Sequence, residues 1–160
     1  MFFVTWTAGL PADMDNASTV SMYKVAAVTA LGLAVFFIAM KFLHLVTIVE
    51  LRFVNFFILL LGVRKILLVR RRENSGKLEY LPGMLVGFMT AFMASAFFAA
   101  FVFLYLSLLD QGLMEYIRNH EPFGSYLSPG GAALVVILEG VASGAILSFA
   151  MMHLYNRDSV

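Results

Sequence analysis

The chain has 160 residues, of which 61% are hydrophobic and only 13% charged, with a formal net charge of +1 at pH 7. Ordinary globular domains are roughly half apolar and about a quarter charged, so a soluble fold of this make-up would expose large apolar patches and aggregate. The composition excludes a conventional soluble domain, and the absence of cysteine excludes disulfides, thiolate nucleophiles and Cys-ligated metals.

In chain order, residues 1–19 read as a polar N-terminal segment. Its opening, MFFVTWTAGLPA, is apolar but lacks the basic region of a cleavable secretory signal. A hydrocarbon core about 30 Å thick requires roughly 20 apolar residues as helix. Residues 20–157 supply four such runs, at about 22–43, 50–69, 82–109 and 131–155.

The first run follows Ser18 and Thr19, which are available as helix caps, and lies between Lys24 and Lys41, whose stems can snorkel to the interfaces. No Gly, Pro or Asn falls between Ala34 and Val54. One unbroken helix over residues 20–72 would be about 80 Å long, so a turn is expected near His44 to Arg52. In the second run, FVNFFILLLGVRKILLV, Arg64 and Lys65 mark emergence from the bilayer. The third follows the polar turn ENSGKLEY, with Pro82 in its first turn, and extends to Asp110. The fourth starts after the breakers Pro129, Gly130 and Gly131 and ends at His153 to Arg157.

Six of the eleven Lys and Arg residues lie between Arg64 and Lys77. Short loops with such an excess stay cytoplasmic, which places both chain ends on that side as well. Arg64, Lys65, Arg70, Arg71, Arg72 and Lys77 are then positioned for lipid headgroup contact. Tyr116, Phe123 and Tyr126 suit the aromatic belt at the other face. The expected fold is all-α: a polytopic membrane four-helix bundle with both termini cytoplasmic.

Small residues recur every four positions in the third span (Gly83, Gly87, Ala91, Ser95, Ala99) and in the fourth (Gly140, Gly144, Ser148). Helices in lipid associate through close backbone approach, which such stripes permit, so these two spans are expected to pack along them. Phe97, Phe98, Phe101 and Phe103 are expected on the opposite face, toward lipid or a partner subunit. The ten methionines read as adaptable packing.

One acid breaks the last run. Glu139 lies about 13 Å along the helix from Gly130, near mid-bilayer, where a carboxylate costs on the order of 3 kcal/mol on insertion scales. It should face protein, pair, or keep its proton. Asn55 and Arg52 are the favoured mates, ahead of His44 and Lys41. The first reading of Glu139 is a polar clip that fixes helix register or binds a neighbouring subunit; the second is an ion or proton relay. His120 and Glu121 are adjacent and poorly spaced for joint metal ligation, and no His-x-x-x-His or paired-carboxylate spacing occurs. No cofactor or metal is expected, nor nucleic acid binding.

From Phe57 onward the order of features is distinctive: LLGVRK closing an apolar helix, a basic turn with the Gly and Lys of NSGKLEY, the glycine-bearing helix GMLVGFMTAFMAS, an outer segment ending like LLDQGLMEYIR, and a last span with a short basic tail. This resembles a bacterial family of small four-helix membrane proteins catalogued as a domain of unknown function, number forty-one ninety-nine, mainly over residues 57–157. The resemblance implies a multi-pass protein of the bacterial inner membrane with both termini inside, and supplies no catalytic residue. The leading expectation is a non-enzymatic accessory or scaffolding subunit of a larger membrane complex, in contact with lipid and with other subunits or copies of itself. The alternative is a small transporter or proton-coupled channel using Glu139, which requires a cavity reaching that carboxylate.

Overall fold

The structure is a computed structural model that describes residues 16–43, 52–120 and 124–157. The expected turn near His44, most of the N-terminal polar segment, Glu121 and Phe123 lie outside the described residues. All regular structure among the described residues is helical. The elements are α1 (Asn16–Phe42), α2 (Arg52–Glu73), α3 (Tyr80–Leu104) continued by a π-helical turn (Tyr105–Leu109), α4 (Gln111–His120), a 3-10 turn (Gly124–Tyr126) and α5 (Pro129–Arg157).

This corrects the expected helix count, because α4 is a fifth α-helix in the segment read as an outer loop. At ten residues it is too short for a search tuned to membrane-length runs. Its signature is instead amphipathic, with Leu113, Met114 and Ile117 turned inward at helical spacing. Among the described residues, three segments are long and apolar enough to cross a membrane: Thr19–Phe42, Tyr80–Leu109 and Pro129–Tyr155. The second helix is not among them, because Arg64, Lys65 and the triple arginine interrupt it.

Local chemistry sets the helix ends. Ser18 and Thr19 already lie inside α1, so neither caps it as expected. After α2, Ser75 and Gly76 take left-handed φ values of 52° and 86°, and the Gly76 N–H donates to the Arg71 carbonyl at 2.8 Å, a Schellman closure. Pro82 sits in the first turn of α3, where its missing N–H costs nothing. The breakers expected before the last span are instead its first turn: Pro129 opens α5, and Ser128 caps it by accepting the Gly131 N–H at 3.1 Å.

The third helix is the hub, packing on α1, α2 and most extensively α5, while α2 also touches α5. The contact between α3 and α5 runs along small residues. Ser95 faces Gly140, Ala91 faces Gly144, Gly87 faces Ser148 and Gly83 faces Met152. The core has two parts. At the end near the basic turn, Val25, Leu59, Val63, Ile66 and Leu67 are buried together with residues of α3 and α5. At the far end, Ala30, Leu33, Phe98, Val102, Leu106 and Met114 join α1, α3 and α4.

Phe98 corrects another expectation. It is 5% exposed, and with Phe101 it packs edge-on against Phe37, at centroid distances of 6.3 and 6.1 Å. A stripe of period four drifts around an α-helix of 3.6 residues per turn, so Phe98 lies only about 60° from Ser95 at 100° per residue. Phe97 and Phe103 are exposed as expected.

Candidate functional site

Glu139 projects from α5 about 15 Å along the helix from Pro129, at 1.5 Å per residue, and is exposed rather than packed. Its neighbour Gly140 is pressed against Ser95, so the carboxylate stands at the edge of the α3–α5 seam. Two cavities meet it there. The larger, about 180 Å³, is walled mainly by apolar side chains of α1, α3, α4 and α5 and reaches Asn55 and Glu139. The smaller, about 60 Å³, lies beside Ser95, Gly140 and Ser143 and is lined by Asn55 and Glu139 again. The structure thus brings together Asn55 and Glu139 on one cavity wall. Arg52 opens α2, but its side chain lies outside the described residues, as does His44.

Asn55 is half-buried, and its Oδ1 is buried without a hydrogen-bond partner among the described residues. A buried acceptor left unmade costs about 1–3 kcal/mol, so this amide has an unfilled demand for a donor. The other such atom is Ser148 Oγ, held against Gly87 in the seam. The buried hydroxyls of Thr29 and Thr90 instead donate to the carbonyls of Val25 and Val86, each at 2.8 Å.

Lys41 is not a mate of Glu139. Its Nζ donates to the Asp110 carboxylate and, at 2.6 Å, to the Tyr105 hydroxyl. Sequence reasoning missed this triad because the π turn creates it. Residues five apart are about 140° apart around an α-helix at 100° per residue, whereas the π turn bonds Asp110 N–H to the Tyr105 carbonyl at 3.1 Å and brings both side chains to Lys41. Asp110 Oδ1 also accepts the Leu113 N–H at 2.9 Å, capping α4. The Lys41 hydrogen bond, and secondarily that of Leu113, hold the Asp110 carboxyl below the usual carboxylate range. An Asp just before a Gly-bearing amphipathic stretch was the available signal.

Of the basic cluster, Arg64, Lys65, Arg71, Arg72 and Lys77 are exposed and Arg70 is half-buried. Arg71 Nε donates to the Gly76 carbonyl at 3.2 Å, bracing the turn. His120 is exposed and stacks on Tyr116 with centroids 4.0 Å apart.

The family model described as "Protein of unknown function (DUF4199)" matches residues 24–121. The matched stretch takes in α1 and stops before α5, whereas the resemblance legible in the sequence lay mainly over 57–157. Neither a curated protein nor a solved structure matches the chain.

Proposed function

The chain belongs to the family described as Protein of unknown function (DUF4199), and because that family supplies no role, we propose one from the geometry: a small, non-enzymatic, multi-pass membrane transporter. In this reading all four long helices cross the bacterial inner membrane, with the basic turn and both chain ends cytoplasmic. The packing of α2 supports it. Leu59, Val63, Ile66 and Leu67 are buried among the other three long helices, while Arg64 and Lys65 are exposed and can snorkel toward headgroups. A cysteine placed at Ser75 should react with a membrane-impermeant reagent in inverted vesicles and not in intact cells. The reverse pattern overturns the orientation.

The observation that carries the transport reading is that Glu139, about 15 Å into α5, and Asn55, in the first turn of α2, share a cavity wall. An acid serving only as a clip would be packed and paired. One lining a cavity can bind and release a proton or cation, and intramembrane acids generally mark such pathways. Glu139→Gln in reconstituted liposomes should abolish substrate-driven proton flux. Flux equal to that of the unaltered chain defeats the idea.

The reading as an accessory or scaffolding subunit has its own support. Large apolar side chains are exposed along α1 (Val28, Leu31, Val35) and α5 (Leu134, Leu138, Ile146), faces suited to lipid or to other helices. Extraction from native membranes in mild detergent separates the two: a stoichiometric co-migrating subunit favours assembly, a solitary species favours transport.

A further inference from the structure

We infer that the larger cavity is a binding site for a small organic monocation, a protonated amine carried on one aromatic ring or a short alkyl body. The inference rests on the transport reading and names the class of substrate it would take. Size sets the first limit. The cavity is about 180 Å³, and an apolar cavity of about 150 Å³ is enough for benzene, so a single ring with a short arm fits and a lipid-sized body does not.

The walls set the second limit. Phe37, Met40, Phe98, Val102, Leu106 and Val136 present carbon, which favours an apolar body. The polar groups set the charge. Among the described residues no Lys, Arg or His lines the cavity, and Glu139 supplies a carboxylate at its wall. Lys41, at the far end of α1, is engaged by Asp110 and Tyr105.

A neutral apolar guest would leave the carboxylate unmet, and an anion would be repelled by it. An ammonium answers it, donating to the carboxylate beside apolar walls, where such contacts strengthen. The rings of Phe37 and Phe98 on the same wall add cation–π attraction.

The test uses the full chain in lipid nanodiscs, with phenethylammonium, phenethyl alcohol and phenylacetate titrated calorimetrically against empty nanodiscs. Phenethylammonium should bind about tenfold tighter than the alcohol, the margin expected for a hydrogen bond to a charged group, and phenylacetate should bind weakest. Glu139→Gln should remove that margin. Equal binding of the ammonium and the alcohol by the unaltered chain overturns the proposal, and that comparison needs no variant to fold. Selective amine binding with proton flux unaffected by Glu139→Gln would defeat the transport reading and leave the ligand class standing. Flux that depends on Glu139 without selective amine binding would defeat only the ligand class.

Discussion

Ser95 and Gly140 meet across the α3–α5 seam so closely that a Cβ on Gly140 would overlap the Ser95 hydroxyl. The same hypothetical carbon would lie 2.6 Å from the Ala91 Cβ at Gly144 and 2.9 Å from Ser148 Oγ at Gly87. Overpacking of this kind costs about 1–3 kcal/mol. Gly140→Ala should therefore lower the unfolding temperature measured by circular dichroism in a fixed detergent, and adding Ser95→Gly should recover part of the loss. Gly83→Ala should be milder, because its carbon would meet the flexible end of Met152 and, less closely, the Leu78 side chain at 3.3 Å. Unchanged unfolding of Gly140→Ala would mean that the two helices stand farther apart.

Asp110 does two jobs, and substitution can separate them. Asparagine caps helices as well as aspartate does, so Asp110→Asn keeps the Leu113 hydrogen bond but gives up the charge that Lys41 holds. Asp110→Ala loses both, and the missing cap should cost a further 0.5–2 kcal/mol or about that. Because the folded carboxyl titrates below its usual value, its stabilising contribution is complete above about pH 4 and is lost as pH falls through the lowered value. The stability gap between the unaltered chain and Asp110→Asn should close on acidification. A gap that stays constant with pH would show that Lys41 and Asp110 do not pair.

At the basic turn, Ser75 holds φ near 52° and Gly76 near 86°. Left-handed backbone costs a residue with a Cβ about 1–2 kcal/mol, a penalty Ser75 already carries and Gly76 avoids. Ser75→Gly should be neutral to slightly stabilising, and Gly76→Ala should destabilise by about 1 kcal/mol, although open space surrounds its hypothetical Cβ. Equilibrium unfolding of the two variants side by side checks the contrast. Equal effects would mean the turn does not take this shape.

What the sequence made legible follows from the range of each interaction. Hydropathy is read residue by residue, so the helical class and the apolar runs near α1, α3 and α5 could be found from composition and length alone. Capping is nearly as local, yet Ser128 was passed over because Pro129, Gly130 and Gly131 were read as breakers, and Asp110 because it was read as the end of the third span. The inward turn of Phe98 needed the drift between a four-residue stripe and a 3.6-residue helix. The pairing of Lys41 with Asp110 spans 69 positions and depends on a π turn that no propensity announces. Glu139 and Asn55 were singled out as polar residues in apolar helices. That they line a cavity instead of forming a packed pair depends on how four helices diverge, which is a property of the assembled bundle.

Asn55 offers the clearest separation of function from stability. If its amide clips the bundle, replacing it should weaken the fold. The structure favours the opposite outcome, since its Oδ1 is buried without a partner, and an apolar side chain of similar size would relieve an unmet acceptor worth about 1–3 kcal/mol. Asn55→Leu should therefore raise the unfolding temperature without weakening phenethylammonium binding, which rests on Glu139. The alcohol, which relies on the apolar walls, should bind the variant at least as well as it binds the unaltered chain. A destabilised Asn55→Leu would assign the residue to helix packing.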